Sequence, residues 1–364
     1  MAEVTDRWER YIAAADGLPE YWYPVLPSTA VRNKPVAHKL LNRNLVLVRH
    51  AGRAYALEDR CPHREVPLSM GSCEFAGHLT CVYHGWTFDV TNGRLVAALT
   101  DGPKSPIAGK ASVRSFPVEE RCGLIWVWLG DGEAVPVEED IPDELLKPDA
   151  RIYVDVRTNT GNWRYAAENG FDEAHGKMLH RSSRWVLLKR VSGWNETEIR
   201  RSEDRKWLLR YQNAVVDQDD YPGLGRWPRF NFIQRKRRKT AQGSNEHAVS
   251  IRLPAILRVR QPGRANWTHY EWYTQIEKNK YQYLVMAVSW VSGWQRLFWW
   301  LRYWTYIRLF HHYDFNGQDL QIVPVMPETP PVKLFRPDES IIAWRKLVED
   351  DARAPRPRLR VAAE

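Results

Sequence analysis

Cysteine is scarce in this chain, with four residues among 364. That excludes a disulfide-stapled scaffold and leaves the cysteines to bind metal or to stay as thiols, as expected in a reducing cytoplasm. Long apolar runs are missing too. No stretch of about 18 uncharged apolar residues occurs, so no conventional spanning helix is expected. The opening, Met1 to Arg7, is charged and lacks an apolar centre, so no secretory leader is read there. No GxGxxG follows a strand-like run: Gly130-Asp131-Gly132 and Gly223-Leu224-Gly225 are bare GxG turns. NAD(P)H is therefore not expected to bind this chain directly. An acidic excess is also absent. Lysine and arginine number 53 against 44 aspartates and glutamates, a net charge of +9. Such a charge suits nucleic acid, an anionic membrane surface or an acidic protein. The run Arg235 to Lys239 passes straight into Thr240-Ala241-Gln242-Gly243-Ser244-Asn245, which is loop composition. It reads as a solvated basic loop, and no nucleic-acid partner is expected.

What is present suffices for a real core. Hydrophobic residues make up 44% and charged residues 27%, which excludes wholesale disorder. The length suits two domains, or three at most. Residues 1–16 have helical spacing, with Trp8, Tyr11 and Ile12 on one side. From about 22 to 130 the text is short strands and turns, with Leu45 to Arg49 and Leu124 to Leu129 as β-rich runs. The acidic, proline-containing stretch Pro136 to Pro142 reads as a linker. Trp163 to His180 reads as helix with a break at Gly170. Val249 to Val259, Tyr270 to Ile276 and Gln282 to Trp290 read as strands, residues 295–325 as a long helix and Ser340 to Asp350 as a closing helix. The expected fold class is α+β. Its divisions are an N-terminal helix (1–21), an all-β domain (22–135) and a mixed domain (136–364).

Cys61-Pro62-His63 and Cys81-Val82-Tyr83-His84 are paired short motifs, each with one cysteine and one histidine. Two thiolates and two imidazoles can hold zinc or a two-iron cluster. A zinc finger of the Cys₂His₂ type pairs cysteine with cysteine and histidine with histidine. A Rieske [2Fe–2S] centre gives two cysteines to one iron and two histidines to the other. Two loops that each supply one of both kinds meet that demand. Cys73 and Cys122 read as thiols rather than ligands.

Cys61-Pro62-His63-Arg64 and Cys81-Val82-Tyr83-His84-Gly85-Trp86 resemble the Rieske motif of bacterial ring-hydroxylating oxygenases. Respiratory Rieske proteins are similar but carry an extra cysteine in each loop, where this chain has Val66 and Tyr83. A Rieske ferredoxin would need only about a third of this length, so the remaining residues should hold chemistry.

The segment Asn169 to His180 holds Asp172, His175 and His180 at i, i+3 and i+8. On a continuous helix i and i+3 share a face, and i+8 returns to within about 80° of it. Two histidines with a distant carboxylate make the facial triad of non-haem Fe(II) oxygenases, with open positions for dioxygen and substrate. On its own such a pair also fits ordinary helix histidines. Behind a Rieske motif it resembles the family pattern. The family's third ligand is a carboxylate far downstream; Asp319 resembles it by position, with Asp314 and Glu328 as alternatives. In the family the residue matching Asp172 is a bridge between subunits, not a ligand. Carried over, the path runs from His84 of one chain through Asp172 of the next to His175. A plain orienting role for Asp172 is the alternative reading.

Gly161 to Arg164, Leu253 to Leu257, Glu271-Trp272-Tyr273 and Leu334 to Leu347 resemble family members that act on fused, carbazole-like aromatic or heteroaromatic rings. The resemblance implies a Rieske β-domain, a helix-grip domain with a curved antiparallel sheet and one mononuclear Fe(II), and a homotrimer. It also implies electrons from NAD(P)H delivered through a separate ferredoxin or reductase, with O₂ as co-substrate. A Rieske mono-oxygenase, such as a demethylase or a steroid hydroxylase, is the alternative within the family. An electron carrier or a basic zinc protein would lie outside it. Trp294 to Phe310 is unusually aromatic and is interrupted by Arg296, Arg302 and Arg308. It reads first as a helix packed in the core or the trimer interface, then as a substrate pocket, and least as a membrane contact.

Overall fold

The computed structural model describes residues 8–172, 174–184, 196–213, 220–221, 223, 225–226, 249–260, 267–327 and 333–354. The basic run 235–239 and Glu328 lie outside them. The described residues form two compact units. One takes those in 16–146, 274–278 and 353–354, the other those in 8–15, 147–273 and 279–352.

The first unit is built on three antiparallel sheets joined by loops and short 3₁₀ turns. Strands β1 (Trp22–Pro27), β10 (Leu124–Trp128) and β9 (Val118–Arg121) form one sheet, in the order β1-β10-β9. A second runs β2 (Val36–Leu40), β3 (Arg43–His50), β4 (Arg53–Glu58) and β8 (Ser115–Phe116). The third joins β5 (His78–Thr80), β6 (Trp86–Asp89) and β7 (Leu95–Ala98). One core cluster gathers Val46, Val48, Leu57, Leu68, Leu79, Phe88 and Leu95, and it includes Cys61 and Cys81. The cysteine loops thus stand on packed strands, and each buried aliphatic or aromatic side chain contributes about 1.5–3 kcal/mol. Cys73 and Cys122 are free and half-buried, and burial pushes the Cys122 thiol up to about 11.

The second unit is α+β. Its seven-stranded antiparallel sheet has the order β11-β19-β18-β17-β16-β13-β12. These are β11 (Ala150–Thr160), β12 (Glu196–Arg201), β13 (Leu208–Asn213), β16 (Val249–Arg252), β17 (Ile256–Arg260), β18 (Trp267–Glu277) and β19 (Lys280–Trp290). A small hairpin pairs β14 (Asp220–Tyr221) with β15 (Gly225–Arg226). The stretch Val249 to Val259, expected as one strand, is a hairpin. Leu253-Pro254 is a cis peptide in its turn, and proline cannot continue a ladder.

Helix α1 (Glu9–Ala13) buries Trp8 and Tyr11 but leaves Ile12 exposed at 47%. Helix α2 (Trp163–Phe171) is capped by Asn162, whose side chain accepts from Arg164 N–H. Its break falls at Phe171–Asp172, not at Gly170. Gly170 packs so closely that an added Cβ would meet Tyr273 Oη at 2.3 Å. Short helix α3 (His175–Met178) tightens into a 3₁₀ turn, Leu179–Ser182. The expected long helix 295–325 has four parts: α4 (Gln295–Arg302), a π-helix (Tyr303–Phe315), α5 (Asn316–Ile322) and a 3₁₀ turn, Val323–Val325. Helix α6 (Glu339–Asp351) closes the unit. Buried Arg345 on α6 grips Glu168 on α2 with two hydrogen bonds, at 2.7 and 3.0 Å.

The aromatic segment is divided between core and surface on this chain. Trp299, Tyr303 and Ile307 are buried against Trp267 and Ala287, but Trp294, Leu297, Phe298, Trp300 and Trp304 are exposed on this chain. Among the described residues no helix is long and apolar enough to cross a membrane.

Two candidate metal centres

The two cysteine–histidine loops fold alike. In each the cysteine N–H donates across the loop, Cys61 to Val66 O and Cys81 to Trp86 O, and the cysteine carbonyl accepts from Glu65 N–H and Gly85 N–H. Gly85 takes φ +66°, and a Cβ there would meet Leu99 Cβ at 2.8 Å, so the turn needs glycine. Cys61 and Cys81 are buried, His84 is half-buried and His63 is exposed. The imidazoles of His63 and His84 lie 4.6 Å apart, and Trp86 stacks on His63 at 5.0 Å. All four ligand candidates line one recess. Burial, with the Cys81 thiol alongside, pushes Cys61 up to about 11. His84 Nδ1 is buried and has no hydrogen-bond partner among the described residues. Buried thiols beside an orphaned imidazole nitrogen are a donor set that a positive metal centre satisfies.

The second centre lies in the other unit. His175, His180 and Asp319 offer ligand atoms within 4.8 Å of one another. Asp319 Oδ1 faces His175 Nε2 at 3.3 Å and His180 Nε2 at 3.2 Å. Each ring is oriented from its far side. His180 Nδ1 is 3.1 Å from Gln318 Oε1, and His175 Nδ1 is 3.3 Å from Asp172 Oδ2. An amide or carboxylate oxygen only accepts, so both Nδ1 atoms carry the proton and both Nε2 lone pairs turn inward. Nε2 of His180 is buried without a hydrogen-bond partner among the described residues. Two inward lone pairs and a carboxylate oxygen repel unless a cation lies between them. Without a metal, a proton fills that role: burial opposes it, but Asp172 and Asp319 lift His175 to about 9. Burial would likewise raise Asp319, yet the His175 and His180 imidazoles hold it well below the usual carboxylate range. Three nitrogen and oxygen donors on one side fit a ferrous ion.

Asp172 does not share a helix with His175. It has extended backbone (φ −66°, ψ 137°) after α2, and its carboxylate accepts from Ala174 N–H at 2.8 Å and His175 N–H at 3.0 Å. It caps the turn that carries His175. The alternative acid Asp314 is elsewhere, accepting from Ser183 Oγ and Arg184 N–H at 2.7 Å each. Two residues were not singled out from the sequence. Asn169 Nδ2 donates to Asp319 Oδ1 at 3.0 Å, and Gln318 orients His180. The only sequence signal was adjacency, since each neighbours a residue already named.

Residues 21–117 match the Rieske [2Fe-2S] domain, and residues 128–195 and 231–356 match the homotrimeric ring hydroxylase family. The chain is 32% identical to the terminal oxygenase component CarAa of carbazole 1,9a-dioxygenase from Sphingomonas sp, over 96% of each chain. The fold is similar to the terminal oxygenase of carbazole 1,9a-dioxygenase from Nocardioides aromaticivorans IC177, with TM-score 0.79, 27% identity, and coverage of 97% of this chain and 99% of that one. It is also similar to the oxygenase in the reduced oxygenase–ferredoxin complex of carbazole 1,9a-dioxygenase, with TM-score 0.79, 26% identity, and coverage of 97% and 94%. With a Rieske domain in front and a ring-hydroxylase domain behind, the chain belongs to the homotrimeric ring hydroxylases and is an oxygen-dependent oxidoreductase, the oxygenase component of a Rieske dioxygenase system.

Proposed function

We propose that this oxygenase adds both atoms of dioxygen to a fused, carbazole-like aromatic or heteroaromatic ring, with electrons from a ferredoxin. In this reading Cys61, His63, Cys81 and His84 hold the cluster, and His175, His180 and Asp319 hold a mononuclear ferrous iron. Residues 22–135 are the electron-transfer domain and residues 136–364 the catalytic one, with the helix within 1–21 packed on the latter. When bound, the cluster supplies single electrons and the iron supplies oxygen activation. The observation that carries the reading is Asp319 Oδ1 facing the Nε2 atoms of two histidines whose Nδ1 atoms are both pinned.

The chain's own residues position and connect. Gln318 and Asp172 fix the two rings, and Asn169 holds the Asp319 carboxylate. Asp172 is half-buried and ionised, since His175 and the backbone N–H groups hold it below the usual carboxylate range against the cost of burial. It has the capacity to accept a further N–H. In the homotrimer that donor is the ring of the partner subunit's His84, giving a path from cluster to His175. The relatives' oxygenase is crystallised with ferredoxin. The net charge of +9 and the exposed His63 edge favour an acidic donor on this chain too.

The test is turnover with a reconstituted ferredoxin and reductase, a panel of fused aromatics and ¹⁸O₂. Two labelled oxygens in each product molecule are expected. One labelled oxygen would reassign the chain as a mono-oxygenase.

A further inference from the structure

A second group of metal-ligating side chains lies in the catalytic unit, and neither the triad nor the cluster uses it. His269 on β18 and His311 and His312 on the π-helix offer ligand atoms within 4.8 Å of one another. All three are almost wholly buried, at 0%, 2% and 0% exposure. Neutral imidazoles cost little to bury, but their ring nitrogens still need partners. Nδ1 of His269 and both ring nitrogens of His312 have no hydrogen-bond partner among the described residues.

The tautomer of His269 is fixed from behind. Its Nε2 lies 2.6 Å from Glu271 Oε1. Glu271 also accepts from Asn316 Nδ2 at 2.8 Å and from the Tyr273 hydroxyl, so its carboxylate is surrounded by donors. Asn316 Nδ2 also lies 3.1 Å from this Nε2, but its two hydrogens go to Glu271 Oε1 and the Tyr283 hydroxyl, so Nε2 of His269 carries the proton towards Glu271. That leaves a lone pair on Nδ1, the same atom that lacks a partner. A carboxylate on one ring nitrogen and a bare lone pair on the other is how metal-binding histidines are set up. The backbone contributes as well. In the π-helix, Tyr303–Phe315, neighbours His311 and His312 are both buried, and π segments recur at functional sites. The Phe315 ring stacks on His180 at 3.8 Å and on His311 at 5.4 Å, so one aromatic ring separates this cluster from the triad.

We propose that His269, His311 and His312 form a second metal site, taking one divalent transition-metal ion of the zinc type with a fourth position open. Three imidazoles suit such an ion, and a tetrahedral Zn–N distance of about 2.0–2.1 Å brings the nitrogens about 3.4 Å apart. Small rotations close the present spacing. Glu271 supplies the balancing negative charge. The nearby guanidinium of Arg157 is engaged by Asp155 at 2.6 Å and by the His312 carbonyl at 3.0 Å.

The test uses the iron-loaded holoenzyme with Zn²⁺ as the probe. Metal per chain is read by mass spectrometry after removal of loose metal, and affinity by competition with a chelator. One zinc per chain is expected, with no loss of iron. His269→Gln and His312→Gln should lose it, and Glu271→Gln should weaken it about 10–100-fold. Asp319→Ala, altered only at the other centre, should keep it, which separates this site from the triad even if a histidine variant fails to fold. Wild-type protein that takes up no zinc, zinc that enters only as iron leaves, or equal uptake by the folded histidine variants would each overturn the site.

Discussion

Asp172 and His175 are joined twice: one carboxylate oxygen of Asp172 lies 3.0 Å from the His175 backbone N–H and 3.3 Å from the His175 ring Nδ1. The carboxylate therefore sets both where His175 begins and how its ring is turned. Asp172→Asn keeps the shape and one acceptor oxygen but removes the charge, and charge-assisted hydrogen bonds are roughly twice as strong as neutral ones. The variant should retain its metals and fold. Electron passage from the reduced cluster in a single turnover should slow by about 100-fold, on the order of 3 kcal/mol of barrier. Reoxidation of the pre-reduced cluster with substrate and oxygen, followed by its absorbance, is the measurement. An unchanged rate with normal product would make Asp172 a structural cap only.

The helix that delivers Asp172 is anchored by a buried pair. Arg345 and Glu168 are each about 9% exposed, and the Tyr11 hydroxyl also donates to Glu168. Removing the arginine leaves a buried carboxylate without its countercharge, a loss of about 3–5 kcal/mol. Arg345→Met should lower the denaturation midpoint of the catalytic unit accordingly. The double variant Arg345→Met, Glu168→Gln should recover part of the loss, because no unpaired charge remains. Chemical denaturation of the three proteins tests this, and equal stability of single variant and wild type would show that the pair contributes nothing.

The cluster loops were legible because their chemistry is local. Cys61 and His63, like Cys81 and His84, are two or three residues apart, so the motif is nearly the geometry. His175 and His180 were read as a pair only with the Rieske motif in front of them, and the continuous helix assumed for them is not there. Asp172 interrupts it, and the 3₁₀ turn after Met178 tightens it. Asp319 was reached only through the family resemblance, with Asp314 and Glu328 left open, because only the tertiary fold brings α5 to α3. Asn169 and Gln318 have no titratable signature and could not be told from surface amides. The π-helix was hidden for a similar reason. Its aromatic and histidine residues look like an ordinary helix until the burial of adjacent His311 and His312 is seen. Trp294, Phe298 and Trp300 are exposed on this chain, and the aromatic composition alone does not say which side of the helix faces the core.

Half-buried His38, whose ring Nε2 is shut away from solvent, gives the all-β unit a pH dependence. Burial lowers its pKa to about 4, and Nε2 has no hydrogen-bond partner among the described residues. In the unfolded chain the value is about 6.5. Between those limits the unfolded state binds a proton that folded His38 does not, so stability falls as pH drops from about 6.5 towards 4. Thermal denaturation of wild type and His38→Gln between pH 7 and 4.5 should show a shallower decline for the variant. Parallel curves would place the acid sensitivity on other groups.

The choice between the two acids of the π-helix and α5 has a direct test. Asp319 is aimed at two imidazole Nε2 atoms, whereas Asp314 accepts from Ser183 and Arg184 and meets neither ring. A ferrous ion held by two histidines alone loses its only anionic donor. Asp319→Ala should therefore lower the iron content from about three to about two per chain, while the spectrum of the Rieske cluster stays unchanged. Asp314→Ala should loosen the turn at Ser183 and keep all the iron. Elemental analysis together with the visible spectrum of the oxidised proteins separates these outcomes, because the cluster absorbs strongly and the mononuclear ion does not. If Asp314→Ala loses the iron and Asp319→Ala keeps it, the ligand assignment is wrong. If both keep it, the two histidines have found another carboxylate, and the inward-facing Oδ1 of Asp319 serves only to orient them.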